Sequence, residues 1–359
     1  MSLRDDQIAG AVVKTKTVNS NNREKTMLGI RNILTATATL VVMSGAAHAN
    51  DLKAESAGQT GLTSIVLQVM GRDLAGTDTS ITLNTGQTLS RSAVKLAAEQ
   101  IDVAIVPPRA FNAMTRGAGP YREMGDEAKE LSGNLRSLFA FTGGALHSIV
   151  RADSGINDWS DVAGKRVYIG PPGGNANAQL SSFVNLMSGL TADEDYDTVK
   201  MGWGAAVQSF QDGQFDVLNF STAVGSAAIV QLLLQGDYRF MQAPEGMAES
   251  EAYAEFLSVG SVPGGIAAGS YEGVENGDVD VLSYNYTMLV SVNQGMSDDE
   301  AYLLTATFWD NLDANGDEIA LLKSISKTPF DGNNMPLHPG AVRYYTDNGI
   351  EVPERLMAN

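Results

Sequence analysis

Apolar residues along this chain occur in two alternating patterns, short continuous runs and runs with helical spacing, and glycine-rich turns separate the two. The stretch at residues 151–190 shows this order most clearly. Val167, Tyr168 and Ile169 form a short β-prone run, and a glycine-rich turn follows at residues 170–174. The apolar positions after the turn have the spacing of a helix with one buried face: Leu180, Phe183, Val184, Met187 and Leu190.

The same order of strand, turn and helix recurs in both halves of the chain. Three strands are predicted in the first half, at residues 52–55, 80–84 and 102–106, and two prolines stop the last of them. A further strand is predicted at residues 215–220, with a helix that begins at Ser221. Strands that alternate with helices build mostly parallel sheets, so the pattern predicts an α/β fold.

Two segments are predicted to pass between two lobes. The first contains strands at residues 135–142 and 147–151, and the second is the longest β-prone run of the chain, at residues 281–292. The glycine-rich segment 260–277 between them is predicted to be irregular. Two passages imply a hinged pair of lobes with a cleft between them. The predicted division is residues 50–143 plus 285–359 for lobe 1 and residues 144–284 for lobe 2.

The turn at residues 170–174 has the features of an anion-binding corner. The first N–H groups of a helix have no intrahelical partner and lie at the positive end of the helix dipole. Gly173 and Gly174 let a ligand approach the backbone, and Asn175 or Asn177 is expected to cap the helix and present an amide. The turn lacks the motifs of nucleotide-binding loops, so a small carboxylate is favoured. A plain strand-to-helix turn is the alternative.

Ligands in open α/β sheets bind beyond the carboxyl ends of the strands, and this rule nominates further residues. Ser221 and Thr222 lie where a strand ends and suit ligand capture, although capping of the next helix explains them as well. Arg109 is suited to a bidentate pair with a carboxylate, with a solvated surface arginine as the alternative. The strand ends of the first lobe nominate four residues: Asn84, Thr85, Thr88 and Arg109.

Composition and charge narrow the class of protein. The chain has 359 residues, 43% of them hydrophobic, which is enough for two lobes, and it has no cysteine for disulfides or thiol chemistry. The net charge is −18, and without residues 1–49 it is −21, with 18 basic and 39 acidic residues. Such a surface repels nucleic acid and anionic membranes, so neither is expected as a partner.

The residue types that catalysis needs are sparse. His147 and His338 are the two histidines after residue 49; a hydrogen-bonded structural role is favoured for His147 over ligand contact, and helix docking for His338. Neither the nucleophile-elbow pattern nor a metal-binding histidine spacing occurs after residue 49. We therefore expect no enzyme, no metal and no cofactor. A pair of carboxylates for glycoside cleavage is left open, because it depends on geometry.

The N-terminal region predicts secretion. Met27 begins a positively charged lead, residues 33–46 are apolar and small, and Ala47, His48 and Ala49 form a small-residue cleavage pattern. We predict a signal peptide at residues 27–49, cleaved after Ala49, with residues 1–26 as an extension upstream of the true start. An uncleaved amphipathic helix is the alternative. The predicted location is the periplasm.

Several runs, in order over nearly the whole mature chain, resemble the solute-binding proteins of TRAP (tripartite ATP-independent periplasmic) transporters of the TAXI type. The runs are Arg151-Ala-Asp-Ser-Gly-Ile, Gly164-Lys-Arg-Val, Gly170-Pro-Pro-Gly-Gly-Asn, Asp212-Gly-Gln-Phe-Asp-Val and Leu337-His-Pro-Gly-Ala-Val-Arg-Tyr-Tyr. In that family a glycine-rich loop followed by tyrosines contacts the ligand; here Gly61-Leu-Thr-Ser stands in place of the aromatic pair. Gln59, Thr60 and Thr63 stay candidates in this loop as amide or hydroxyl donors.

The resemblance implies a two-lobed periplasmic-binding-protein fold, type II-like, with a central cleft and two crossovers between the lobes. It also implies a small anionic solute, such as a dicarboxylate or an amino acid, and TRAP-type membrane permease subunits as partners. A monomer is expected. The alternatives are a periplasmic hydrolytic enzyme and a ligand receptor for a membrane sensor kinase.

Overall fold

The computed structural model describes residues 50–59 and 61–358 of the chain. The predicted upstream extension, the predicted signal peptide and its cleavage after Ala49, and the candidate Thr60 lie outside the described residues. Within the described part, no helix is both long and apolar enough to cross a membrane.

Strands and helices alternate through most of the described residues. The strands are Asn50–Glu55 (β1), Thr79–Asn84 (β2), Val103–Val106 (β3), Leu135–Arg151 (β4), Arg166–Tyr168 (β5), Asp197–Val199 (β6), Val217–Thr222 (β7), Tyr238–Phe240 (β8), Ser261–Ile266 (β9) and Val281–Asn293 (β10). The helices are Leu62–Asp73 (α1), Leu89–Ala97 (α2), Pro108–Met114 (α3), Asp126–Ser132 (α4), Asn175–Ser188 (α5), Trp203–Gln211 (α6), Ala227–Leu233 (α7), Glu251–Leu257 (α8), Asp298–Glu318 (α9) and Pro339–Asp347 (α10).

The strands belong to one mixed sheet with the order β2-β1-β3-β10-β4-β7-β5-β6, and β8 and β9 pair with β4 and β10 outside this path. β1, β2 and β3 are parallel, and so are β5, β6 and β7. β10 is antiparallel to β3 and β4, and β4 is antiparallel to β7. The first half consists of β1–β3, the start of β4 and the end of β10. The second half consists of β5–β9, the end of β4 and the start of β10.

β4 and β10 cross from one half to the other. Near its start β4 contributes Phe139 and Phe141 to a core of the first half, and near its end it contributes Leu146 and Val150 to a core of the second half. β10 runs the opposite way, from second-half Tyr284 to residues of the first-half core such as Val290 and Val292. The predicted α/β, two-lobed periplasmic-binding-protein fold with two crossovers is confirmed.

The first crossover differs from its prediction, because the two predicted strands form one continuous strand, β4. The glycines between them do not make a turn. A Cβ on Gly143 would lie 2.0 Å from the Tyr286 ring, and a Cβ on Gly144, where φ is +126°, would lie 2.3 Å from the carbonyl oxygen of Thr222. Glycine is required here because neighbouring strands approach the backbone closely, at a register shift in the pairing of β4 with β10.

The segment at residues 260–277 is not irregular throughout, because β9 lies within it and pairs with β10. The strand was not predicted because β9 contains Pro263, Gly264 and Gly265, and proline and glycine are rare in strands. A Cβ on Gly264 would meet the Asn285 side chain at 2.3 Å, and one on Gly265 would meet the Val281 carbonyl oxygen at 2.0 Å. Backbone pairing with the long partner strand outweighs the low strand propensity of these residues.

Candidate functional site

The carboxyl ends of the strands of both halves are directed at the same short part of β4. In the first half, Val106 at the end of β3 pairs with Leu289 of β10, which pairs with Ala140 of β4. In the second half, Thr222 at the end of β7 pairs with Ala145 of β4. The two sets of strands therefore run toward the crossover from opposite sides. The loops that follow them come together there, as expected of a ligand site at strand carboxyl ends.

The first-half candidates differ in exposure. Thr63 is buried in the first turn of α1, whereas Gln59 in the loop before it and Asn84 at the end of β2 are exposed. Thr85 and Thr88 are partly buried. The loop between β1 and α1 is held in place by Ser64, whose hydroxyl donates to the Gly58 carbonyl at 2.9 Å.

In the second half, the glycine turn leads into α5 as predicted. Gly173 is exposed with φ +77°, and Gly174 is the N-cap residue, with no side chain capping the helix. The first N–H groups of α5 are therefore free of a side-chain cap. The predicted capping by Asn175 or Asn177 is wrong, because both lie inside the first turn, and the Asn177 side chain instead donates to the Ile169 carbonyl at 2.7 Å.

The candidates of the two halves approach each other at Thr88 and Gly174. A Cβ on Gly174 would lie 3.8 Å from Cγ2 of Thr88, which is ordinary van der Waals contact. Thr88 is the N-cap residue of α2, and its side chain makes no capping hydrogen bond. The starts of α2 and α5, one from each half, thus lie side by side.

Ser221 and Thr222 are the last two residues of β7 and are partly buried. The predicted helix start at Ser221 is wrong, since α7 begins at Ala227 with Ser226 as its N-cap residue. The capping explanation for Ser221 and Thr222 is therefore wrong too. Four residues connect β7 to α7, whereas the sequence pattern predicted a helix that starts at the end of the strand.

Arg109 reaches from the first half into the second. Its Nη2 donates to the Phe256 carbonyl at 2.5 Å, and its guanidinium carbon lies 4.6 Å from the centre of the Phe256 ring. Nε is buried and has no hydrogen-bond partner. The alternative of a solvated surface arginine is wrong, because the side chain is packed between the halves.

The charge of Arg109 has no acidic partner nearby in the described part of the chain. Burial lowers its pKa, and the nearby Tyr284 partly opposes that shift. Among the salt bridges of the described residues, none contains Arg109. Burial also raises the pKa of Tyr284, against the effects of Arg109 and of the Ser221 hydroxyl. The guanidinium is thus a charge surrounded by neutral groups.

Phe256 and Tyr284 were not predicted as site residues. Tyr284 lies in the run that was predicted as the second passage, so an aromatic residue on a crossover strand was an available signal. Phe256 precedes Gly260, where a Cβ would lie 2.3 Å from Cβ of Pro108. No local pattern in the sequence indicates that contact, since it joins segments far apart in the chain.

The two described histidines have structural roles. His147 is fully buried, with Nε2 2.8 Å from the Tyr271 hydroxyl and Nδ1 3.1 Å from the Ala145 carbonyl, and burial lowers its pKa to about 4. His338 is the N-cap residue of α10, where its Nδ1 accepts from the Gly340 N–H. The favoured structural role of His147 and the helix start at His338 are confirmed.

Comparison with known proteins gives one family and several structures of low identity. A model of the NMT1-like family matches residues 68–349. The periplasmic aliphatic sulphonate binding protein SsuA from Escherichia coli has 14% identity and a TM-score of 0.44, with 83% of each chain covered. A TRAP periplasmic solute binding protein from Sulfitobacter sp. NAS-14.1 with bound β-D-galacturonate has 11% identity and a TM-score of 0.44, covering 84% of this chain and 96% of that one. The periplasmic ectoine-binding protein of the TeaABC TRAP transporter from Halomonas elongata has 9% identity and a TM-score of 0.43, covering 83% of this chain and 90% of that one.

Proposed function

The chain belongs to the NMT1-like family, and from this premise we propose that it is an extracytoplasmic solute-binding protein. It captures a small organic anion between its two halves and delivers it to a membrane transporter. The observation that carries the anionic part of the proposal is Arg109, a partly buried cation between the halves without an acidic partner among the described salt bridges. In a chain with a net charge of −18, a local cation is the means by which an anion is held.

Binding is coupled to closure of the two halves. A solute that is held first by one half gains contacts from the other half only in the closed form, so it stabilises that form by its differential affinity. β4 and β10 are the connections about which the halves would move. The closed form is what a membrane partner would recognise.

The lobes are proposed as residues 50–143 plus 285–359 and residues 144–284. This division is supported by the cores: Phe139 and Val290 belong to one, and Leu146 and Tyr284 to another. The proposed binding residues are those at the strand ends and helix starts: Gln59, Thr60, Thr63, Asn84, Thr85, Thr88, Arg109, Gly173, Gly174, Asn175, Asn177, Ser221 and Thr222.

The proposed transporter is of the TRAP type and the protein a monomer of the TAXI type in the periplasm, which the ordered runs from Arg151 to Tyr345 support. Catalysis is not part of the proposal. Both ring nitrogens of His147 have partners, and Nδ1 of His338 accepts from the Gly340 N–H, while Nε2 of His338 is buried without a partner among the residues that the structure describes. Within the described residues, no group of three potential metal ligands comes together.

The test is native mass spectrometry of the mature protein purified from the periplasm of its expression host. We expect a co-purified organic anion that dissociates on unfolding. Adding it back to refolded, ligand-free protein should raise the melting temperature with its concentration, since a ligand that binds only the folded state stabilises that state. A protein that carries no solute and is stabilised by no member of a panel of carboxylates, sulfonates and amino acids would contradict the proposal.

A further inference from the structure

The segments that meet at the crossover contain one charged residue among them. Each is placed there by a strand end or by a contact across the halves, and the set covers the loops after β1, β2, β3, β5 and β7, the turn before β9 and the middle of β10. In residues 56–59, 61–63, 84–90, 107–109, 170–179, 220–226, 256–262 and 284–287, the only charged side chain is that of Arg109. The loop after β6 adds Lys200, which is exposed. In a chain with 42 acidic and 24 basic residues, a region so poor in charge is adapted to hold a single opposite charge.

The walls around Arg109 are aromatic. Its guanidinium lies over the Phe256 ring, and the Tyr284 ring is 5.0 Å from that of Phe256 and 5.1 Å from that of Phe183, centre to centre. On the other side, the backbone of Gly260 closes against Pro108. Gln179, one turn into α5, donates to the hydroxyl of Ser261 beside that contact, so α5 lies against the same region. A solute held by Arg109 therefore meets neutral and largely apolar groups.

The Arg109 guanidinium has more N–H donors than hydrogen bonds. Of its five N–H groups, the Nη2 bond to the Phe256 carbonyl uses one, and the buried Nε–H has no partner. A carboxylate or sulfonate accepts two parallel hydrogen bonds from the edge of a guanidinium, which satisfies the unpaired donor and the unpaired charge together. A neutral carbonyl group would satisfy the unpaired donor but not the unpaired charge.

We propose that the solute carries a single oxyanion group, a carboxylate or a sulfonate, which Arg109 binds, and that the rest of the solute is uncharged and mainly apolar. This inference rests on the proposed function. A second negative charge on the solute would be buried with no cation to pair with, which is strongly unfavourable. The inference excludes the dicarboxylates that the sequence resemblance suggests. The nearest further cation along these segments, Arg91, is exposed on α2.

The experiment compares probes of equal length with the refolded, ligand-free protein at neutral pH. One series is hexanoate, hexane-1-sulfonate, adipate and 1-hexanol, and the other is 4-propylphenylacetate, 1,4-phenylenediacetate and 2-(4-propylphenyl)ethanol. By calorimetric titration we expect the single-headed anions to bind at least about tenfold more tightly than the dianion and the alcohol of the same series. The dianion would bury a second charge without a partner, and the alcohol would lack the ion pair with Arg109. The carboxylate and sulfonate arms distinguish the two oxyanions.

Three variants assign the effect to Arg109. Arg109→Gln keeps amide donors and removes the charge, and we expect it to weaken the best single-headed anion by about 10- to 100-fold, the range of a lost charged hydrogen bond. Arg109→Lys keeps the charge but not the fork, so its loss should be smaller. Arg91→Gln is the matched control and should bind as the parent does. Circular dichroism of each variant reports whether it is folded.

Several outcomes would overturn the inference. Tighter binding of adipate than hexanoate, a co-purified solute with two acidic groups, or unchanged binding by a folded Arg109→Gln variant each contradicts it while leaving solute binding in place. If no probe of either series binds but another organic anion does, the inference also fails and the proposed function stands. Only a protein that binds no organic anion at all brings down the proposed function.

Discussion

Two basic side chains lie close to the crossover, the partly buried Arg109 in the first half and the fully buried His147 in the second, and burial affects their charges differently. His147 has a partner for each ring nitrogen, and burial lowers its pKa to about 4, so it is neutral at ordinary pH. Burial lowers the pKa of Arg109 as well, but a guanidinium stays charged in proteins. Desolvation thus keeps His147 neutral, whereas Arg109 keeps its positive charge.

The difference separates a residue that serves the fold from one that suits a ligand. A neutral imidazole with both nitrogens engaged needs nothing from outside the chain. The partly buried guanidinium of Arg109 has an unpaired Nε and no salt bridge among the described residues, so a bound anion would compensate its charge. The predictions below test this contrast through stability, without a ligand.

The largest effect is expected from pH acting on His147. Its folded pKa of about 4 lies below the ordinary 6.5, so the unfolded chain takes up a proton that the folded one refuses between these values. The contribution of His147 to the free energy of unfolding is fully present above pH 6.5 and decreases as the pH falls toward 4. At about 1.4 kcal/mol per pH unit, the total decrease is roughly 3 kcal/mol.

Urea unfolding of the parent and of His147→Gln at pH 7.5, 5.5 and 4.5 measures that loss. The parent should lose more free energy of unfolding over this range than the variant does. His338, whose pKa burial also lowers, is present in both proteins and cancels in the difference. If the free energy of unfolding changed equally with pH in the parent and the variant, His147 would not be held neutral by burial, and the contrast with Arg109 would disappear.

The next effect concerns the partner of His147. The Tyr271 hydroxyl bonds His147 Nε2 at 2.8 Å and accepts from the Gly225 N–H at 2.8 Å. Tyr271→Phe leaves these groups without that partner, and we expect it to lower the free energy of unfolding by about 1–3 kcal/mol. Tyr302→Phe, for which no hydroxyl hydrogen bond is found among the described residues, is the control and should change little.

The smallest effect is expected at Arg109. Arg109→Met keeps much of the side-chain length and removes the buried charge, so the free energy of unfolding of the ligand-free protein should stay within about 1 kcal/mol of the parent or rise. Chemical denaturation of refolded protein measures it. A loss of several kcal/mol would show that the guanidinium holds the halves together as a structural element, and the comparison with His147 would then be wrong.

Much of the fold was predictable from local pattern. The strand at residues 80–84, the buried strand ending before Pro107 and the helix carrying Leu180 to Met187 are where hydrophobic spacing places them. Two of the errors fall where a tertiary contact requires glycine. Gly143 and Gly144 accommodate Tyr286 and Thr222, and Gly264 accommodates Asn285, so glycines that indicate turns locally lie within strands.

The candidate site was predictable in its positions but not in its contacts. The rule that ligands bind at strand carboxyl ends nominated Thr88 and Arg109, and the free N–H groups at a helix start nominated Gly174. The approach of Thr88 to Gly174 and the burial of Arg109 against Phe256 depend on the register of β4 with β10 and β7. Register across long-range pairs is set by side-chain packing on both faces, which no single segment contains.

By itself, the sequence determined the α/β class, the two crossovers and the scarcity of charge in the loops after β1, β2, β3, β5 and β7, because periodicity and composition act within each segment. Only the tertiary structure decided that those loops meet, that Arg109 is partly buried without an acidic partner among the described residues, and that both ring nitrogens of His147 have partners. Burial and partnership are properties of pairs of segments far apart in the chain, and the free energy of a charge depends on them more than on its neighbours in sequence.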